Sequence, residues 1–111
     1  LFHGPKEKHY VKNILAKSKI KHRTVFQKDI RKYMALAQRC DLFVSADGGP
    51  LHFALALGVR SVGLFQRRAV RSYWYSGNYP GRLYPVFVKD GCRASERRVL
   101  SRCAAVLRRR I

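Results

Sequence analysis

The chain has 111 residues, 47% of them apolar, which is room for one α/β-sized domain with a modest core and too much apolar content for a disordered segment. Its 24 Lys and Arg against 6 acidic residues give a net charge of +18, so a polyanionic partner is expected, whether nucleic acid, anionic lipid or phosphorylated glycolipid. No apolar run approaches the ~18 residues of a membrane-spanning helix, and no secretory leader pattern opens the chain.

In chain order, Leu1-Phe2-His3-Gly4-Pro5 reads as the end of a strand and a turn. From Glu7 to Lys17, Tyr10, Val11, Ile14 and Leu15 recur at three- and four-residue steps and predict a helix. Lys19 to Val25 predicts a short strand with its approach loop. Lys28 to Arg39 predicts an amphipathic helix with Ile30, Tyr33, Met34 and Ala37 on its core face, and Asp29 suits its N-terminus. Leu42, Phe43 and Val44 form a short apolar run between turn residues, as in a strand covered on both faces. Asp47-Gly48-Gly49-Pro50 stops that strand, an apolar helix follows with Gly58 as its C-terminal cap, and Ser61 to Phe65 is the next strand. Gln66 to Arg82 reads as a loop broken by Gly77, Pro80 and Gly81, with Tyr73, Trp74, Tyr75 and Tyr79 set among Arg67, Arg68, Arg71 and Arg82. Tyr84 to Lys89 predicts a strand. Ser95 to Arg110 predicts a last helix with Val99, Leu100, Cys103, Val106 and Leu107 on one face and Arg108-Arg109-Arg110 at the end that favours cations. Alternating strands and helices predict a Rossmann-like α/β fold with a mostly parallel sheet and flanking helices.

The chemistry points to the strand–turn–helix at Asp47. Glycines at 48 and 49 permit unusual backbone angles and a close approach of main chain to ligand. The free N–H groups and dipole of a helix starting there suit a phosphate. Asp47 stands at the carboxyl end of a strand, where open α/β sheets bind ligands, and His52 follows in the first turn of an otherwise apolar helix. Cys40, Cys92 and Cys103 lack metal-ligand spacing. Their odd number fits a reducing compartment better than a disulfide framework; Cys40 reads as a small core residue, and a Cys92–Cys103 pairing stays open.

The segment Asp47-Gly48-Gly49-Pro50-Leu51-His52, with Ala54, Ala56-Leu57-Gly58 and then Ser61-Val62-Gly63-Leu64-Phe65, resembles the donor-binding signature of family 9 glycosyltransferases, the lipopolysaccharide heptosyltransferases. The match spans residues 28–65. It departs from the family pattern at Gly48, where a hydroxyl residue is usual, and at Gln66-Arg67-Arg68, where Gly-Pro-Thr is usual; Asp29 is a shifted counterpart of the acidic residue early in the preceding helix. The resemblance implies the latter part of the C-terminal domain of a GT-B enzyme, so residues 1–111 would be a single, partial nucleotide-sugar-binding domain, and a chain opening on Leu1 fits a fragment or a processed product. By the same resemblance Gly48 and Gly49 offer N–H groups to the donor diphosphate, Asp47 accepts hydrogen bonds from sugar hydroxyls, Pro50 opens the helix, and His52 lies beside sugar or phosphate. The donor substrate would be ADP-heptose or a similar nucleotide-sugar, with no metal or other cofactor, and the acceptor an anionic glycolipid of lipopolysaccharide-core type. The general base belongs to the acceptor domain, which this stretch does not resemble. The expected location is cytoplasmic, peripheral to the inner membrane.

Two other readings compete. A degenerate, non-catalytic domain would bind a protein completing the fold, or an anionic partner, through uncovered sheet or helix faces. A nucleic-acid module would stack bases on the aromatics of Arg67 to Arg82, but it leaves Asp47 and its apolar helix without a role.

Overall fold

The computed structural model describes residues 2–3, 8–19, 25–26, 28–66, 82–89, 92 and 95–109. Two compact units divide the chain, residues 1–35 and 36–111.

In the first unit, β1 (Phe2–His3) and β2 (Val25–Phe26) pair in parallel, Phe2 opposite Val25 and His3 opposite Phe26, with α1 (Lys8–Lys17) between them in sequence. A parallel pair joined through a helix is a βαβ unit. The helical periodicity places α1 correctly, but only Val11 of its stripe is buried; Tyr10 and Ile14 are exposed. Next in sequence, α2 (Ile30–Gln38) crosses from the first unit into the second. Its N-terminus is set by Asp29, whose Oδ1 accepts the N–H groups of Arg31 (2.9 Å) and Lys32 (3.4 Å). That satisfies two of the donors a helix start leaves over. Ala37 is fully buried, whereas Ile30, expected on the same core face, is exposed.

The second unit holds a three-stranded parallel sheet in the order β3-β4-β5, built from β3 (Phe43–Ala46), β4 (Ser61–Gln66) and β5 (Leu83–Val88). Helix α3 (Gly49–Ala56) connects β3 to β4, and α4 (Glu96–Arg108) follows β5. Side chains alternate across the sheet. Phe65 of β4 joins Leu51 and Leu55 of α3 in one core cluster, flanked by Leu83 and Phe87. Val62 joins Val86 of β5 and Val106 of α4 in another, flanked by Leu42, Leu64, Tyr84, Val99 and Cys103. Thus α3 covers one face and α4 the other.

The strand buried on both faces is therefore β4, whose Ser61 and Val62 are 0% exposed, and not β3. On β3, Phe43 is buried but Val44 is 46% exposed, because β3 has a sheet neighbour on one side only among the described residues. Pro85 fits β5 for the same reason: a strand with one paired side tolerates a missing N–H. The last helix also differs from expectation. Val99 and Cys103 are half-buried and Val106 is buried, while Leu100 and Leu107 turn outward. Cys40 is half-buried rather than a core residue, and Cys40, Cys92 and Cys103 are all free thiols. Burial pushes the Cys103 thiol above the ordinary cysteine range, with its own backbone hydrogen bond opposing in part. The aromatic–arginine stretch 67–81 and Arg110 lie outside the described residues.

Two contacts lock this unit. Gly63 of β4 lies beneath α3: a Cβ there would stand 2.6 Å from Phe65 Cε2 and 2.9 Å from Leu51 Cδ2. Only a missing side chain lets the helix and the Phe65 ring seat together. The second contact is a cap from afar. Arg60, just before β4, donates from Nη1 to the carbonyls of Val106 (2.9 Å) and Arg109 (2.8 Å) at the end of α4. The cation meets the negative end of the helix dipole, sharing the Val106 carbonyl with the Arg109 N–H and adding a donor to the Arg109 carbonyl. Arg102 and Arg109 lie over the Tyr84 ring, each 5.8 Å from its centroid. At the other end of α4, Ser95 Oγ accepts the Arg98 N–H at 3.4 Å.

Gly63→Ala is expected to cost about 1–3 kcal/mol by overpacking, read as a lower urea midpoint with an unchanged slope. Arg60→Met keeps the aliphatic stem and removes the cap; it should cost about 1–2 kcal/mol, a loss that shrinks little in high salt because the hydrogen bonds themselves are lost. A parent-like urea midpoint in either variant would refute the corresponding contact.

Candidate functional site

The site is built on the shortest connection in the second unit. β3 ends at Ala46 and α3 begins at Gly49, so only Asp47 and Gly48 join them. Asp47 donates its N–H to the Leu64 carbonyl (3.1 Å), extending the β3–β4 ladder by one residue and fixing where the turn departs. Its side chain is exposed. In the sequence it is the only carboxylate between Asp41 and Asp90. Between it and Asp90 stand only cationic or neutral residues, so a negative group at this turn is a local exception in a strongly positive chain.

Gly48 is the N-cap of α3 and makes no side-chain cap; its backbone is extended at φ 163°. Helix bonding begins with the His52 N–H to the Gly48 carbonyl at 3.3 Å. The N–H groups of Gly48, Gly49 and Leu51 therefore head the helix ahead of its first bond, and Pro50 contributes none, as suits the first turn. His52 is half-buried in that same first turn. The turn thus places Asp47, Gly48, Gly49, Pro50 and His52 at one end of the sheet, with backbone donors and the positive end of the α3 dipole at its mouth.

The glycines act differently from the sequence expectation. Neither needs a backbone angle barred to other residues: Gly49 is helical and Gly48 extended, and Gly58, at φ 81°, is the one described glycine in the left-handed region. Nor does packing demand them. A Cβ at Gly49 would meet nothing within 4 Å, and one at Gly48 only Pro50 Cδ at 3.9 Å. Both glycines leave open space in front of the helix start, in contrast to Gly63, where the space is filled by neighbours. At the far end of α3, Gly58 and Val59 donate to the carbonyls of Leu55 (3.1 Å) and Ala54 (3.0 Å), and Gly58 ends the helix as its position in the sequence predicts.

Asp29 is set in a structural role by its two bonds to the start of α2. Among the described residues, no group of three or more His, Cys, Asp and Glu is placed to hold a metal ion, and no helix is long and apolar enough to cross a membrane. Arg60 was not foreseen as a cap, because its partners lie 46 and 49 residues away.

A family model described as glycosyltransferase family 9 (heptosyltransferase) matches residues 1–72. The chain belongs to this family. The match starts well before residue 28, so β1, α1 and β2 are part of the family 9 pattern together with α2 through β4, and the Asp47 turn falls within it. β5 and α4 follow beyond it. The chain matches no curated protein and no solved structure. Membership in family 9 brings a glycosyltransferase-type function to the Rossmann-like α/β arrangement already described.

If the space before α3 exists for a ligand, Gly49→Ala should leave the fold alone and fill it. The apo protein is expected to melt within about 0.5 kcal/mol of the parent, while binding of a nucleotide diphosphate, followed by calorimetry, falls about tenfold or more. Equal affinity in parent and variant would mean that no ligand approaches this face.

Proposed function

We propose that the Asp47 turn is the donor site of a heptosyltransferase-like, inverting transferase of GT-B architecture. The donor is an ADP-sugar such as ADP-heptose, and the complete enzyme passes the sugar to an anionic glycolipid of lipopolysaccharide-core type. The observation that carries this reading is the open space beside Gly48 and Gly49 at a helix start whose first N–H groups precede the first helical bond. An anion is what such a start accommodates, and in a member of glycosyltransferase family 9 the anion we assign to it is the diphosphate of a nucleotide-sugar.

Each residue then has a distinct task. The N–H groups of Gly48 and Gly49 hold diphosphate oxygens. Asp47 accepts hydrogen bonds from sugar hydroxyls, which fixes the anomeric carbon relative to the helix end. His52, one turn into α3, lies beside the sugar or the phosphate. During transfer the acceptor hydroxyl oxygen forms a bond to the anomeric carbon and gives up its proton to a base. The bond from that carbon to the diphosphate oxygen breaks, and the electron pair stays on the leaving nucleotide. Charge therefore grows on the diphosphate, where fixed N–H dipoles and the α3 dipole favour the transition state more than the ground state. This assignment requires Asp47 to face the sugar, since a carboxylate facing the diphosphate would oppose binding.

The test is a thermal-shift titration of the full chain with ADP, ADP-heptose and UDP-sugars. A ligand bound only by the folded state raises the melting temperature once its concentration passes the dissociation constant. ADP-heptose is expected to shift the parent and to lose most of that shift in Asp47→Ala, while ADP alone, lacking the sugar, shifts both alike. A chain that melts cooperatively and responds to none of these ligands would refute the donor site.

A further inference from the structure

Arginines from three places in the chain gather at the end of the sheet away from Asp47. The strands run parallel, so Asp47 follows the carboxyl end of β3, whereas Arg60 and Arg82 stand just before β4 and β5 at the amino end. The Ser61 N–H donates to the Arg82 carbonyl at 2.7 Å, which sets the backbones of Arg60 and Arg82 side by side. Arg102 and Arg109 arrive from α4. They are two helical turns apart on one side of the helix, and both guanidinium carbons lie 5.8 Å from the centroid of the Tyr84 ring. The two charges are therefore no farther apart than twice that distance. Arg60 is half-buried, and its Nη1 is tied to the Val106 and Arg109 carbonyls. Among the described residues no carboxylate is ion-paired with any of the four; Asp41, at the same end of the sheet, is exposed and makes no ion pair with them.

We infer that the cluster around Tyr84 is a binding site for a small ligand carrying two adjacent phosphate groups, gripped by Arg102 and Arg109 within the positive potential of Arg60 and Arg82. The Tyr84 ring attracts each guanidinium through its face, yet the guanidiniums repel one another, and only an anion between them turns that repulsion into attraction. A guanidinium presents a planar fork of N–H donors that matches phosphate oxygens, so two forks held against one ring suit two phosphates better than one. Ring and helix hold the forks before a ligand arrives, so less side-chain freedom is lost on binding. An extended nucleic acid fits less well. It needs a track of cations and aromatic faces open to its bases, and the Tyr84 ring already carries two guanidiniums. The site lies at the other end of the sheet from the donor turn and does not rest on that reading.

The experiment is calorimetric titration of the full chain with inorganic pyrophosphate at about 0.15 M salt, where attraction to diffuse surface charge is largely screened. It is run in the Gly49→Ala background, which fills the space at the donor turn, as well as in the parent. Binding is expected in both. Within that background, Arg102→Gln with Arg109→Gln should weaken it about tenfold or more, since the charge-assisted contacts are lost. Arg97→Gln with Arg108→Gln removes the same charge from another side of α4 and should leave the affinity unchanged. All four side chains are exposed, so parent-like melting curves are expected of both pairs. Absence of binding in Gly49→Ala overturns the inference and leaves the donor turn unaffected. Equal losses in the two arginine pairs overturn it as well, reducing the attraction to diffuse charge. Inorganic phosphate that binds as tightly as pyrophosphate would reject the paired-phosphate ligand. A single-stranded oligonucleotide that displaces pyrophosphate at lower concentration would assign the cluster to nucleic acid instead.

Discussion

The close seating of α3 on β4 is the constraint on which the second unit depends. It works because Gly63 has no side chain: Leu51 from the helix and Phe65 from the strand meet where a Cβ would otherwise stand. Leu51 is the third residue of α3, so the contact lies directly behind the helix start. The core thus reaches to within two residues of the open face before Gly49. Seating the helix any farther out would carry the Asp47-Gly48 connection with it, since two residues joining a strand to a helix leave little slack. The positions of the candidate donor groups are consequences of packing beneath them.

The unit uses its glycines in three unrelated ways. Gly58 supplies the positive φ that ends α3. Gly63 supplies room for two neighbours already present. Gly48 and Gly49 supply room that the protein itself does not fill. Only the third kind speaks to function, and it is recognised by excluding the first two.

The order of elements was readable from the sequence because α1, α2, α3 and α4 each carry a periodic or bounded apolar pattern, and because the Asp47 turn and Gly58 are strong punctuation. Burial was less readable. Ile14, Ile30, Leu100 and Leu107 sit in patterns indistinguishable from those of Val11, Ala37 and Val106, yet they are exposed. A helical repeat says which residues share a side, and three-dimensional neighbours decide how much of that side is covered. Likewise Leu42-Phe43-Val44 reads like a fully buried strand, and only the sheet order β3-β4-β5 shows that β4 holds that place. The Asp47 turn was legible as a cluster because its residues are contiguous; the Arg60 cap was not, since nothing local links Arg60 to a carbonyl in the last helix. Gly63 carried a local signal, a glycine inside an apolar strand, which commonly marks a close backbone approach.

The Arg60 cap also has a bearing on how the unit comes apart. Arg60 follows the glycine stop of α3 by two residues and precedes β4 by one, so it belongs to the joint between the site helix and the central strand. Its guanidinium holds the last turn of α4. Fraying of α4 and loosening of that joint are therefore not independent local openings but a single cooperative one. Amide protons at the end of α4 and at the end of α3 would exchange with solvent through a shared event, slower than terminal helical turns ordinarily allow. The end of the sheet away from Asp47 is thereby clamped through a single side chain, which ties the last helix to the entry of the central strand.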